Sequence, residues 1–320
     1  MWSFSRESCS GLPMDARKRV RKTLDFGVPD RIAFFDDISD NAVKKWQGEG
    51  SMPAGAAPQE FFDFDLRVFG FDQTFSENAK NAVTAERLDR PSAGEGLKEN
   101  YEKAKKAGKF LVLSCMEPFE HISRVVGRER LLTMMAEEAT KTANLFADSA
   151  EFTLSVCRSI MDKGYRFDGA WLWGDLGYGA GLMFSLDYYN AYLFDLHKGF
   201  CDFFNKHDMP VIYHSDGNIR EIIPHLIEAG VRAVHPLESD VDMDLLDVKR
   251  EYGRDIVLIG GVDEKSFADG KKAEGEIKKK FRYLMKNGGY IYHADSPVLE
   301  DVSFENYKRV LESVKRYGVY

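Results

Sequence analysis

From Val211 onward the chain repeats one unit, and that repetition constrains the fold more than any other feature of its 320 residues. Val211 to Tyr213 is a short β-rich run after Pro210. A helical pattern begins at Asn218, with Ile219, Ile222, Ile223, Leu226 and Ile227 on one face, and Gly230 ends it. Val231 to His235 reads as a strand, Asp242 to Tyr252 as a helix stopped at Gly253, and Ile256 to Ile259 as a strand. Lys271 to Lys286 reads as a helix stopped at Gly288 and Gly289, and Tyr290 to Tyr292 as a strand. A last helix, capped by Ser303, carries Tyr307, Val310, Leu311 and Val314 inward. Strand, helix, glycine, strand is the pattern of parallel βα units.

The first half follows the pattern less tidily. Ile32 to Phe35, Phe110 to Ser114 and Gly169 to Trp173 read as strands, with an eighth near Phe69 to Phe75. Long helical regions over Arg130 to Lys163 and Leu186 to His207 connect them. Gly48 to Pro58 is rich in small residues, Pro and Gly, and reads as a loop. Eight βα units at this length predict a single-domain (β/α)8 barrel over residues 1–320, with a helical extension over 1–30. An open doubly wound sheet is the other arrangement the pattern allows. No GxGxxG follows a first strand, which argues against dinucleotide binding.

Composition narrows the function classes. Forty-four Lys and Arg against 52 Asp and Glu give a net charge of −8, with no basic block. Nucleic-acid binding works by neutralising phosphates, so such a chain is a poor candidate for it. No apolar run approaches the roughly 20 residues of a membrane span. Met1 to Arg21 lacks the apolar stretch of a signal peptide. Cys9, Cys115, Cys157 and Cys201 form no CxxC pair and read as reduced thiols, so the expected location is cytoplasmic.

A βα barrel builds its active site at the C-terminal ends of its strands. There the sequence places Asp36 and Asp37, Glu117, Asp175, His214 with Asp216, His235 with Glu238, Asp263, and His293 with Asp295. One acid after a strand is usually a helix cap. Seven such strand ends predict that about half cap helices and half line a pocket. His214-Ser-Asp216 is the sharpest local feature. A cation such as zinc has ligands in both residues, with Asp295, His293 or Glu238 as further candidates. The plainer reading is that His214 bonds a neighbour and Asp216 caps the following helix. His121, His197, His207 and His225 lie on helices or loops and read as solvated or satisfied.

Trp171, Trp173, Tyr178, Phe184, Tyr188 and Tyr189 cluster in sequence around Gly174 to Gly177, and Phe61, Phe62, Phe64 and Phe69 form a second aromatic group. Either group has the character of a pocket wall for a flat substrate, or of ordinary core. The glycines from Gly174 to Gly181 predict a close backbone approach or a mobile loop.

Several segments carry a resemblance. They are ARKRVRKTLDFGVPDRIAFF near the start, WLWGDLGYGAGLMFS from Trp171, and PVIYHSDGNIREIIPHLIEAGVRAVHPLE from Pro210. DVKREYGRDIVLIGGVD and GGYIYHADSPVLEDVSFENYKRVLESVKRYG follow. Together the chain resembles the uroporphyrinogen decarboxylase superfamily. The resemblance implies a (β/α)8 barrel and one of two activities, cofactor-free decarboxylation of uroporphyrinogen or methyl transfer with corrinoid proteins, often with zinc. It also implies frequent pairing as homodimers.

The decarboxylases hold a polycarboxylate with arginines from an N-terminal motif. Here Phe34 to Val43 has three acids and no arginine, and an acidic mouth repels a polyanion. Methyltransferases that load a thiol hold zinc on a His-x-Cys pair and a later Cys. Here His214 matches the histidine, Asp216 stands in place of the cysteine, and Ala294-Asp295-Ser296 has none. Such a harder site suits polarising an ether oxygen.

The expectation is therefore a methyltransferase moving a methyl group from a small methoxylated or methylated substrate to a corrinoid protein. His214, Asp216 and Asp295 are its metal or acid/base residues. Glu117 and Asp175 assist them, and Trp171, Trp173, Tyr178, Glu238 and His293 bind substrate. A metal-free decarboxylase or lyase, and a non-catalytic partner of a corrinoid protein, are the alternatives.

Overall fold

The structure is a computed structural model that describes residues 14–71 and 97–320. Its strands are β1 (Ala33–Phe34), β2 (Leu66–Gly70), β3 (Phe110–Met116), β4 (Gly169–Trp173), β5 (Val211–His214), β6 (Ala233–His235), β7 (Val257–Ile259) and β8 (Tyr290–Tyr292). They pair in parallel in the order β1-β8-β7-β6-β5-β4-β3-β2, with helices between them, as a nearly closed (β/α)8 barrel. The open sheet is thereby excluded. Apart from β2, which carries Arg67 and an exposed Val68, the strands are buried along most of their length, as strands covered by helices outside and side chains inside must be.

One gap remains between β1 and β2, and Asp65 closes it. The Asp65 backbone N–H donates to the Phe34 carbonyl at 2.9 Å, and the Phe34 N–H donates back to Asp65 Oδ2 at 2.9 Å. A carboxylate thus substitutes for one rung of the missing ladder. It lies 1% exposed and takes Arg19 Nη1 at 2.8 Å and Arg31 Nη1 at 2.7 Å. Arg19 also pairs with Asp30 at 2.7 Å. Arg19 belongs to the helix Ala16–Leu24, whose N-cap Asp15 accepts from Lys18 N. Val20, Thr23 and Leu24 face inward, and Arg17 and Arg21 reach Gly108, Asp168 and Asp208, which immediately precede β3, β4 and β5. The helix therefore covers the N-terminal end of the barrel. It is the described part of the predicted extension; residues 1–13 lie outside the described residues.

Several boundaries shift for local reasons. The helix over Arg130 to Lys163 is two, Arg128–Glu137 and Ala139–Asp162, because Glu138 leaves helical geometry at φ −130, ψ 44. Leu193, at φ −118, likewise separates Leu186–Tyr192 from Phe194–Asn205. The helix expected from Asn218 begins at Ile223, where Pro224 occupies the first turn it tolerates best. The eighth strand is Leu66–Gly70, earlier than expected, and positions 72–75 lie outside the described residues. Cys115, Cys157 and Cys201 are buried free thiols, and Cys9 is outside the described residues. Among the described residues no helix is long and apolar enough to cross a membrane.

Candidate active site

Strand register sets up the site. Trp173 of β4 pairs with His214 of β5, and His214 with His235 of β6. Alternation then puts Trp171, Trp173, His214 and His235 on one face, and their ring contacts agree. Trp171 lies 4.8 Å from His235, Trp173 5.8 Å from His214, and the two histidine rings stack at 5.0 Å. His214 Nδ1 and His235 Nδ1 are 2.7 Å apart, so one of them donates to the other. His293, following β8, stands edge-on to His235 at 4.4 Å and against Phe35 at 4.6 Å.

On its other side His214 meets two carboxylates. Its Nε2 lies 3.6 Å from Asp175 Oδ1 and 3.6 Å from Asp216 Oδ1. Ligand atoms of Asp175, His214 and Asp216 all fall within 4.8 Å of one another. Backbone contact holds the two loops together. The Asp216 N–H donates to Asp175 Oδ1 at 3.1 Å, and the Asn218 N–H donates to the Tyr178 carbonyl at 2.9 Å. A Cβ on Gly217 (φ +77) would come within 2.5 Å of Gly177 C and Tyr178 N, and one on Gly177 within 2.7 Å of the Asp216 carbonyl. Of the two readings of this glycine run, the close backbone approach is the observed one.

Burial pushes His214 down to about 4, and it is neutral at physiological pH. Burial, with Asp175 and Glu238 nearby, pushes Asp216 up to about 7. One neutral imidazole nitrogen and two carboxylates fit a hard or borderline divalent cation. His214 is also oriented from behind by His235, as ligating histidines are by their outer partners. Because Asp216 holds its proton up to about pH 7, a cation must displace it below that point. The expected affinity for Zn²⁺ rises about tenfold per pH unit up to about 7 and levels off above it. Calorimetric titration between pH 5.5 and 8 measures this, and a flat profile would contradict it.

The remaining strand-end acids do other work. Glu117 and Asp263 are caps: Glu117 accepts from Phe119 N and Glu120 N, and Asp263 from Lys265 N. Glu117 is fully buried and also bonds His197 Nε2 at 3.2 Å. Glu238 Oε2 accepts from Gly217 N at 2.6 Å. Asp295 accepts from Ser239 Oγ at 2.6 Å and Glu264 N at 2.9 Å. Asp36 accepts from Ala294 N and Tyr307 OH, and burial pushes it up to about 6. Three of these acids therefore stitch one βα loop to its neighbour, a use the cap-or-pocket division omitted. Asp295 lies outside the Asp175, His214 and Asp216 group.

Of the aromatic residues, Trp171 and Trp173 wall the histidines, while Tyr178 is half exposed. Tyr189 is core and bonds His197 Nδ1 at 3.1 Å. Phe61 and Phe62 pack with Phe304, and Phe62 also with Trp46 and Tyr307. Phe64 and Phe69 line a cavity of about 290 Å³ whose edge includes Phe35, Asp36 and Asp37.

Sequence reasoning missed two residues. Arg124 stacks 4.3 Å over Trp173, and Arg128 approaches Asp175 at 3.8 Å, both anchored on Glu120. They come from helices inserted above β3, and nothing in local spacing announces them. His235 occupied a visible strand end, but its bond to His214 needs the register.

The fold and site define a (β/α)8 barrel with an acidic and imidazole cluster at its C-terminal mouth. The family described as uroporphyrinogen decarboxylase (URO-D) matches residues 93–317, and the chain belongs to this family. A methyltransferase from Methanosarcina mazei superposes with a TM-score of 0.70 at 12% identity, over 95% of this chain and 99% of that one. The protein ZgEngAGH5_4 superposes at 0.54 with 10% identity, over 92% and 97%. Both share the barrel. No curated protein matches the sequence.

Proposed function

We propose that the protein is a methyltransferase that moves a methyl group from a small methoxylated or methylated substrate to a corrinoid protein. The observation that carries this reading is the Asp175, His214 and Asp216 trio beside the aromatic walls of Trp171 and Trp173. The similarity to a methyltransferase barrel supports it. A divalent cation held there supplies Lewis acidity to an ether oxygen. His214 presents a neutral nitrogen to the cation, and Asp175 and Asp216 supply the negative charge. Trp171 and Phe35 form flat apolar surfaces that orient an aromatic ring and exclude water. When the carbon–oxygen bond breaks, the methyl group would pass to the cobalt(I) of the corrinoid, and the oxygen would keep the bonding electron pair and take a proton from water.

The test incubates the zinc-supplemented protein with methoxyaromatic compounds and free cob(I)alamin as acceptor. Methylcobalamin should appear in step with one equivalent of demethylated product. Carbon dioxide release from a small acid, with no methyl transfer, would instead favour a metal-free decarboxylase or lyase. The elevated Asp216 also suits that second reading as a general acid.

A further inference from the structure

The N-terminal end of the barrel, opposite the candidate active site, carries a cavity of about 250 Å³. It lies where the helices Leu245–Tyr252 and Gly270–Leu284 end, beside the turns that lead into β7 and β8. Lys249, Arg250, Arg254 and Lys286 line it together with Tyr283, and among the described residues no carboxylate does. The whole chain has a net charge of −8, so this grouping of cations runs against composition.

Lys249 is the informative member. It is 8% exposed, and lysine is almost never buried unless paired. Its Nζ donates to the Gly288 carbonyl at 2.7 Å and to the Gly253 carbonyl at 3.3 Å, and among the described residues no carboxylate pairs with it. Burial without a counter-charge pushes it down to about 8. An ammonium has three donors, so one remains for a ligand. The two carbonyls lie at helix exits, where the dipole is negative, and Lys249 offsets that charge.

The other three cations are then left for an outside partner. Arg254 has no ion-pair partner among the described residues. Lys286 Nζ stands 5.3 Å over the Tyr283 ring. Arg250 meets Asp247 at 2.9 Å, an exposed pair of the kind that contributes little.

We propose that this cavity binds a diphosphate group, at a site separate from the candidate active site. Each phosphoryl group brings about −1.5 to −2 of charge near pH 7, so two of them match four cations. Two joined phosphoryl groups also span cations from both helices, where a single phosphate leaves most of the cavity unfilled. Arg250 and Arg254 supply the planar forks that fit phosphoryl oxygens, and Lys249 supplies its remaining N–H from below. The site does not depend on the Asp175, His214 and Asp216 trio.

The experiment is calorimetric titration of the full chain at low salt with inorganic pyrophosphate, inorganic phosphate and ADP. One pyrophosphate per chain should bind, at least about tenfold tighter than phosphate, and added salt should weaken it. Arg254→Gln should weaken pyrophosphate about tenfold, and Arg254→Gln with Lys286→Gln about 100-fold, the order expected for charge-assisted hydrogen bonds. Both residues are exposed, and circular dichroism checks that the variants fold. Lys105→Gln with Lys106→Gln, which removes two exposed cations elsewhere, should leave the affinity unchanged. ADP bound as tightly as pyrophosphate assigns the group to a diphosphate ester, and ADP excluded assigns it to the free anion; either supports the site. No saturable pyrophosphate binding, equal affinity for phosphate and pyrophosphate, or the same loss in the Lys105 and Lys106 variant would overturn it.

Discussion

His214→Ala is expected to lower the affinity of the proposed cation site for Zn²⁺ by more than 100-fold, and to lower the proposed methyl transfer with it. His214 supplies the nitrogen of the trio and sits 3.6 Å from each carboxylate. Without it, Asp175 and Asp216 face one another with no ligand between them. Their mutual repulsion then favours keeping the Asp216 proton, which competes with the cation. Loss of an outer partner of a ligand typically costs 10- to 100-fold in metal affinity, so loss of the ligand itself should exceed that. Calorimetric titration with Zn²⁺, beside far-UV circular dichroism to establish folding, measures the effect. Wild-type affinity in a folded variant would remove His214 from the cation site.

Asp65→Ala is expected to cost about 3–5 kcal/mol of stability, the range for breaking a buried ion pair from one side. The substitution leaves Arg19, 5% exposed, with Asp30 as its one remaining carboxylate among the described residues, strips Arg31 of its carboxylate, and orphans the Phe34 N–H at the β1–β2 seam. Asp65→Asn keeps an acceptor for Phe34 and should lose less. Urea unfolding of both variants gives the numbers. Since Asp65 lies at the opposite end of the barrel from His214, Zn²⁺ affinity of the folded Asp65→Asn variant should stay within about twofold of wild type. A loss below about 1 kcal/mol for the alanine variant would mean that the seam closes without this carboxylate.

The barrel was legible because its second half writes strand, helix and glycine in short periods. Each period is a local consequence of apolar spacing and helix stops. The breaks at Glu138 and Leu193 were not, because each residue is an ordinary helix former, and tertiary packing turns the chain there. Asp65 was likewise invisible. Its role depends on two arginines brought from 46 and 34 residues away. At the site, the offset of an acid or histidine from a strand end could be read directly, and this picked out His214 and Asp216, whose side chains stand 3.6 Å apart. Which acids share a space could not. Asp175 reaches His214 through the pairing of β4 with β5, while Asp295, at the same kind of offset, is occupied with Ser239 and Glu264.

The pressed contact between Gly177 and Gly217 makes the span of the proposed cation site a property of the main chain. Two loops in backbone contact hold positions 175 and 216 at a fixed separation whichever side chains stand there. The ligand set is therefore interchangeable. A softer donor at position 216 would retune which ion the mouth prefers without rebuilding either loop. The frame would stay unmoved while the proposed ligand set changed.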